Sequence, residues 1–400
     1  MRRWVRRFAY GFGALALVAA GVAAANWERI ERLYRVNTLF EPDRIVANFS
    51  NMGTMFLTAP IPRAGPVRDL PSSPAPLPAS FETDRGRIST EAFLEETATT
   101  SLLVLRDGAV EFEEYYLGTG PEDLRISWSI AKSFLSALVG VAIEDGAIES
   151  LDDPIVRYAP TLEGSAYEGA TLRQIAGMSS GVEFDEDYLD YDSDINRMGR
   201  ELALGGSLDA FSADLTETAG APGEAWRYVS IDTHALGMAL RGATGTSVAA
   251  FMADRLWSRI GAEADAYYVT DGEGAAFVLG GLNMRTRDFA RFGLLVMEGG
   301  VWSGERILPA DWLAESTSNV APPPPGGDGR RGQGYGYQWW LPPEADDEVY
   351  GIGVYGQYLF IDRKARVVIV KTSADRDFRA DGSRNQHDSI AFFRAAARGG

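Results

Sequence analysis

The chain contains no cysteine, which excludes disulfides, thiolate-held zinc and cysteine nucleophiles. Histidine is nearly absent too. His234 and His387 are the only two in 400 residues, and two isolated histidines do not make a metal site, so neither a metal nor a cofactor is expected. No basic run occurs beyond the first seven residues, and the formal net charge is −18, which argues against a nucleic-acid partner. Lysine is the last scarcity. Of 38 basic residues only Lys132, Lys364 and Lys371 are lysine. Arginine cannot accept a proton near neutral pH, whereas a desolvated lysine can, so each lysine is worth a question.

What is present is an ordinary globular composition, 46% hydrophobic and 24% charged, with length enough for a large core and two subdomains. The first seven residues carry Arg2, Arg3, Arg6 and Arg7, and an uncharged stretch rich in Ala, Gly, Val and Leu runs from Phe8 to Asn26. A positive segment before an apolar one reads as a targeting signal. Ala23-Ala24-Ala25 offers a cleavage site, and Phe8 to Ala25 is also just long enough to act as an uncleaved anchor. Both readings place the remainder outside the cytoplasm, in the periplasm; a buried core helix is the competing structural reading. Residues 27–84 read as an amphipathic lead-in followed by a Pro-rich surface linker, with seven prolines between 59 and 79.

The main domain is expected over 85–398. Ser101–Arg106 and Ala109–Tyr116 flank Asp107-Gly108, and a D-G pair between two β-prone runs predicts a hairpin. From Ser129 to Asp145, apolar residues at 130, 134, 135, 138, 141 and 142 have helical spacing. A mainly helical subdomain is expected at about 150–265. Gln357–Asp362 and Val367–Thr372 are β-rich, and a helix closes the chain near 388–398. Strands at both ends with helices between predict an α/β fold, a sheet built from the two termini with a helical subdomain inserted.

Two serine patterns compete. Gly177-Met178-Ser179-Ser180-Gly181 matches a G-x-S-x-G nucleophile elbow, and His387 follows in the right chain order. The elbow needs a strand before its serine, yet Thr171 to Ala176 reads as a helix, so a helix-ending turn is the plainer assignment. The second pattern is Ser129-Ile130-Ala131-Lys132. Three residues along a helix bring both side chains to one face. The helix N-terminus favours developing negative charge, and a desolvated lysine can take the serine proton. A capped helix with a surface lysine is the bland alternative.

The surroundings of this second motif, Ser127-Trp128-Ser129-Ile130-Ala131-Lys132-Ser133-Phe134, resemble the nucleophile segment of class C β-lactamases, their esterase relatives and the 6-aminohexanoate-oligomer hydrolases. Pro222 to Ser230, with Tyr228-Val229-Ser230, is similar to that superfamily's second motif, and several further stretches between residues 40 and 398 agree in order. The resemblance implies a β-lactamase/transpeptidase-like fold, a mainly antiparallel sheet flanked by helices. It also implies a serine hydrolase that forms an acyl-enzyme on Ser129. Lys132 would be its base and Tyr228 its proton shuttle. The backbone N–H groups of Ser129 and Val354 would form the oxyanion hole. Ser230, Tyr188, Trp340 and Gly353 would line the substrate.

One motif departs from the pattern. Where β-lactamases carry K-T-G, this chain has Gly351 to Gln357 without a cation, which points away from penicillins towards a small-molecule or short-peptide ester or amide. Lys371-Thr372-Ser373 follows the wrong strand and reads as an exposed strand end. The acidic run Glu183–Asp194, seven acids in twelve residues, reads as a solvated loop or as a rim that attracts a cationic group. A D,D-peptidase or β-lactamase, and a catalytically silent, membrane-tethered peptide-binding protein, remain the functional alternatives.

Overall fold

The computed structural model describes residues 2–325, 333–342 and 347–399. Its scaffold grows from the hairpin at Asp107-Gly108. Thr99–Arg106 and Ala109–Tyr115 pair antiparallel with Arg106 opposite Ala109. Asp107 and Gly108 have φ of 50° and 82°, the doubly left-handed backbone that a two-residue turn of matching twist requires. Beside Thr99–Arg106 lies Val367–Ser373, then Gln357–Asp362 and Glu348–Gly353, with the short pieces Trp340–Leu341 and Gly334–Tyr335 at the far edge. Every pairing in this seven-stranded sheet is antiparallel.

Strand alternation divides the sheet's side chains between two cores. Leu103, Leu105, Leu359, Ile361, Val368 and Val370 join the main core, which includes the buried helices Ala131–Glu144 and Thr286–Met297. Their alternates, including Leu102, Val104, Phe360 and Ile369, meet Phe392 and Phe393 of the closing helix Ala380–Arg398. The sheet is therefore apolar on both faces, and its central strands read as continuous hydrophobic runs. Between residues 150 and 265 the named elements are all helical.

Two expectations change. The first concerns residues 27–84, expected as lead-in and surface linker, parts of which pack into the fold. Leu57–Ile61 pairs antiparallel with Ala266–Thr270 and forms the edge of a second, four-stranded sheet that includes Leu282–Met284 and Arg125–Ile126. Pro60 hides this strand from sequence reading, but on an edge a missing N–H breaks no ladder. The lead-in is also structural, since Leu39, Ile45, Phe49 and Met52 lie in the main core. The second change concerns Lys371, expected at an exposed strand end. Its strand is interior to the sheet, and Lys371 is buried. Its Nζ lies 5.5 and 5.8 Å from the ring centres of Phe93 and Tyr358 and donates to Ser373 Oγ at 2.6 Å.

Burial pushes the Lys371 ammonium down to about 7, with Asp375 acting in the opposite sense. A lysine whose folded pKa lies below its unfolded one destabilises the fold when charged in solution. The cost is complete below about 7 and vanishes above the unfolded value of roughly 10.4. Lys371→Met should therefore raise Tm at pH 6, and the gain should shrink as pH approaches 10. A thermal melt series over that range checks it; a gain independent of pH would mean that packing, not charge, sets the cost.

The N-terminal helix Arg2–Ala25 leaves Trp4, Tyr10, Phe12, Leu15 and Leu17 exposed, which removes the core-helix reading. Among the described residues no single helix is long and apolar enough to cross a membrane. Tyr10–Ala25 and Trp27–Asn37 meet that measure only as a pair bent by 71°.

Candidate active site

Ser129 does not sit within the α-helix, as its spacing predicts, but on a 3₁₀ turn, Trp128–Ile130, that leads into Ala131–Glu144. Trp128 has φ 43°, a left-handed backbone that a bulky residue holds only under packing constraint. Phe49 supplies some of that packing, its ring centre 5.5 Å from that of Trp128. A 3₁₀ turn brings residues three apart nearly into line. Lys132 Nζ accordingly lies 2.9 Å from Ser129 Oγ, and it donates to Leu279 O at 2.8 Å. The helix is buried around almost its whole circumference, and Lys132 with it. Burial pushes this ammonium down to about 7, and the Glu186 carboxylate works the other way. Among the described residues no carboxylate forms an ion pair with it.

Tyr228 lies over Lys132, its ring centre 5.3 Å from Nζ. It stacks on Trp340 at 5.4 Å and 25° within an aromatic group that includes Trp226 and Tyr335. Burial raises the Tyr228 phenol well above its ordinary range and Glu186 adds to this, while Ser129 and Ser230 pull in the other direction. Ser230 opens the helix Ser230–Thr244. Its N–H donates to Glu186 Oε2 at 2.8 Å, and its hydroxyl and that of Tyr188 both donate to Glu186 Oε1.

Glu186 is the site residue that sequence reading missed. Seven acids crowd its stretch, and nothing local separates it from them. Its neighbours Asp187 and Asp190 accept bonds from the backbone of their own loop and are exposed, as a solvated loop would have them. Glu186 is singled out by the bonds it accepts from Tyr188 and from Ser230, the latter 44 residues away.

Gly353 ends the strand Glu348–Gly353, and a Cβ there would lie 2.6 Å from Ser127 O and 3.0 Å from Trp128 Cβ. Glycine is what lets this strand press against the serine turn. The following turn is pinned by the Gln357 amide, whose Nε2 donates to Val354 O, Tyr355 O and Ser373 O at 3.1, 2.9 and 2.9 Å. Ser129, Tyr188, Tyr228, Trp340, Gly353 and Val354 thus line one open cleft of about 390 Å³. The sequence-expected residues converge, with Lys132 and Ser230 adjoining. The cleft also holds a cation that the sequence reading did not place. Arg379, just before the closing helix, lines it with its guanidinium 4.6 Å over the Tyr188 ring.

The competing serine is elsewhere in chemistry. Ser179 is buried, follows the short helix Leu172–Ala176 rather than a strand, and donates its hydroxyl to Gln174 O at 3.0 Å. His234 is engaged with Asp209 at 2.8 Å, and His387 lies on the closing helix. The Pro/Gly-rich loop at 321–334 falls partly outside the described residues.

Known proteins resemble this chain in sequence and in fold. The Beta-lactamase family profile matches residues 90–390. The 6-aminohexanoate-dimer hydrolase of Paenarthrobacter ureafaciens is 32% identical over 337 residues, covering 82% of this chain and 84% of that protein. A solved candidate 6-aminohexanoate-dimer hydrolase from Bacillus anthracis superposes with a TM-score of 0.80 at 25% identity, over 90% of this chain and 95% of that one. A class C beta-lactamase shares the fold at a TM-score of 0.54 and 16% identity, over 76% of this chain and 92% of that one.

Proposed function

This chain belongs to the beta-lactamase family and is a serine hydrolase of amide or ester bonds, and from that premise we propose that Ser129 is its acylated nucleophile, Lys132 the base and Tyr228 the proton shuttle. The observation that carries the proposal is the buried Lys132 amine, 2.9 Å from Ser129 Oγ and unpaired with any described carboxylate. Neutral Lys132 takes the hydroxyl proton as Oγ adds to the carbonyl carbon. The oxyanion forms against the backbone N–H groups of Ser129 and Val354, aimed where charge develops. Collapse of the adduct expels the alcohol or amine, which receives the proton from Lys132 through Tyr228. Water then adds to the acyl ester by the same proton route in reverse, and the carboxylic acid leaves. Tyr188, Trp340, Ser230 and Gly353 shape the cleft around the substrate, a small-molecule or short-peptide ester or amide.

Intact mass after incubation with a fluorophosphonate tests the assignment. One adduct is expected on the wild type and on Ser179→Ala, and none on Ser129→Ala; loss of the adduct in Ser179→Ala instead would sink it. A second reading, a D,D-peptidase or penicillin-binding activity at the same serine, gains support from Arg379, a cation that could hold a substrate carboxylate in place of the missing K-T-G lysine. Stable penicillin labelling of Ser129 would select it. The location proposed is extracytoplasmic, by export or anchoring through residues 1–26. Support comes from the arginine-led apolar helix and the exposure of its described apolar side chains.

A further inference from the structure

Beside the open cleft lies a second, more enclosed hollow of about 120 Å³ that also reaches Ser129. Its outer wall is built by the N-terminal segment, through Val36, Leu39, Phe40, Met52 and Phe56. None of these lies within residues 90–390, the span that the family profile matches. Phe40 stacks on Tyr355 at 4.6 Å and 12°, and its ring centre is 5.9 Å from that of Trp128. The segment therefore braces the neighbours of both Val354 and Ser129 while it closes the hollow.

The wall carries no charged side chain. Of its polar side chains, the Trp128 indole N–H is buried without a partner and, as a donor, offers nothing to a cation, while three others are already engaged. The Tyr188 and Ser230 hydroxyls donate to Glu186, and the Asn196 amide donates to the carbonyls of Tyr188 and Asp190 at 3.1 and 2.6 Å. An ammonium placed here would be buried with no carboxylate in the wall to pair with, which is costly, whereas methylenes would be welcome. An apolar cavity of roughly 150 Å³ admits a benzene ring, so this one holds about four or five carbons.

We propose that this hollow is an acyl subsite for an unbranched, uncharged alkyl acyl group of about four to six carbons, with the N-terminal segment as its specificity-determining wall. The proposal rests on the assignment of Ser129 as nucleophile. It predicts a preference for alkanoyl esters or amides over chains that end in an amine, which would have to direct their ammonium into the outer cleft.

Gly199 gives a direct test. It lines the hollow, and a Cβ built there meets nothing within 4 Å. It lies inside the helix Asp194–Leu204, where replacing glycine by leucine favours the helix, so Gly199→Leu should fill the hollow and still fold. The experiment uses p-nitrophenyl esters from acetyl to decanoyl, together with the 6-aminohexanoyl ester, on the full chain. In the wild type kcat/KM should rise by up to about fourfold per methylene, peak at four to six carbons and then fall. The 6-aminohexanoyl ester should be at least about tenfold poorer than the hexanoyl ester. In Gly199→Leu the ratio of hexanoyl to acetyl kcat/KM should drop by about tenfold or more, with Gly199→Ala between. A flat wild-type profile, or an unchanged ratio in Gly199→Leu, overturns the subsite while fluorophosphonate labelling of Ser129 still stands. Absence of that labelling overturns the nucleophile and the subsite together.

Discussion

Lys132→Arg should lower kcat for ester hydrolysis by about ten-thousandfold, although it keeps a cation at the same position. The reason is protonation. A guanidinium stays charged throughout the accessible pH range, so the variant has no lone pair to receive the Ser129 proton. In the wild type, burial pushes the Lys132 ammonium down to about 7, and only its neutral form is the base. Activity is therefore present above that pH and lost below it. The kcat/KM profile should climb about tenfold per pH unit below 7 and level off above it. The Tyr228 phenol, held well up by burial, adds no descending limb between 7 and 9. Arginine is larger than the lysine it replaces, so Lys132→Met serves as a second variant that fits the same space and also lacks a base. Circular dichroism and melting establish that both fold. If a folded Lys132→Arg kept more than about a tenth of wild-type kcat, the base would have to be another group.

Tyr228→Phe should cost about a hundredfold to a thousandfold in kcat on an amide, and clearly less on a nitrophenyl ester of the same acid. An amine leaving group must be protonated as it departs, whereas nitrophenolate leaves unaided. The ratio between the two substrates is the informative readout. Tyr228 also belongs to an aromatic group with Trp226, Tyr335 and Trp340, and a purely structural role would lower both activities alike. Equal losses would remove the tyrosine from the proton route and leave it as framework.

Features that lie within one element were legible from the residues. Asp107-Gly108 between two β-prone runs marks its turn because the required backbone is left-handed at both positions. Apolar spacing after Ser129 marks a helix because that period is a property of the helix itself. The three-residue step from Ser129 to Lys132 is meaningful for the same reason. Tyr228 became a candidate only through resemblance, since nothing in its own stretch separates it from a core tyrosine.

What sequence reading misplaced depends on packing between distant parts of the chain. A proline-rich stretch looks like linker until Leu57–Ile61 is seen on a sheet edge, where Pro60 removes no needed donor. Lys371 looks like an exposed strand end until its strand is flanked on both sides. Glu186 is indistinguishable from six neighbouring acids until Ser230 and Tyr188 turn to it. The sequence by itself determined the arginine-led apolar N-terminal stretch, the hairpin, the helix after Ser129 and the serine–lysine spacing, all of which follow from local geometry. Only the tertiary structure decided that Lys132 is desolvated, that Arg379 enters the cleft and that residues 36–56 wall the second hollow. Burial and long-range contact are properties of the packed chain, and no local pattern encodes which distant surface a side chain will meet.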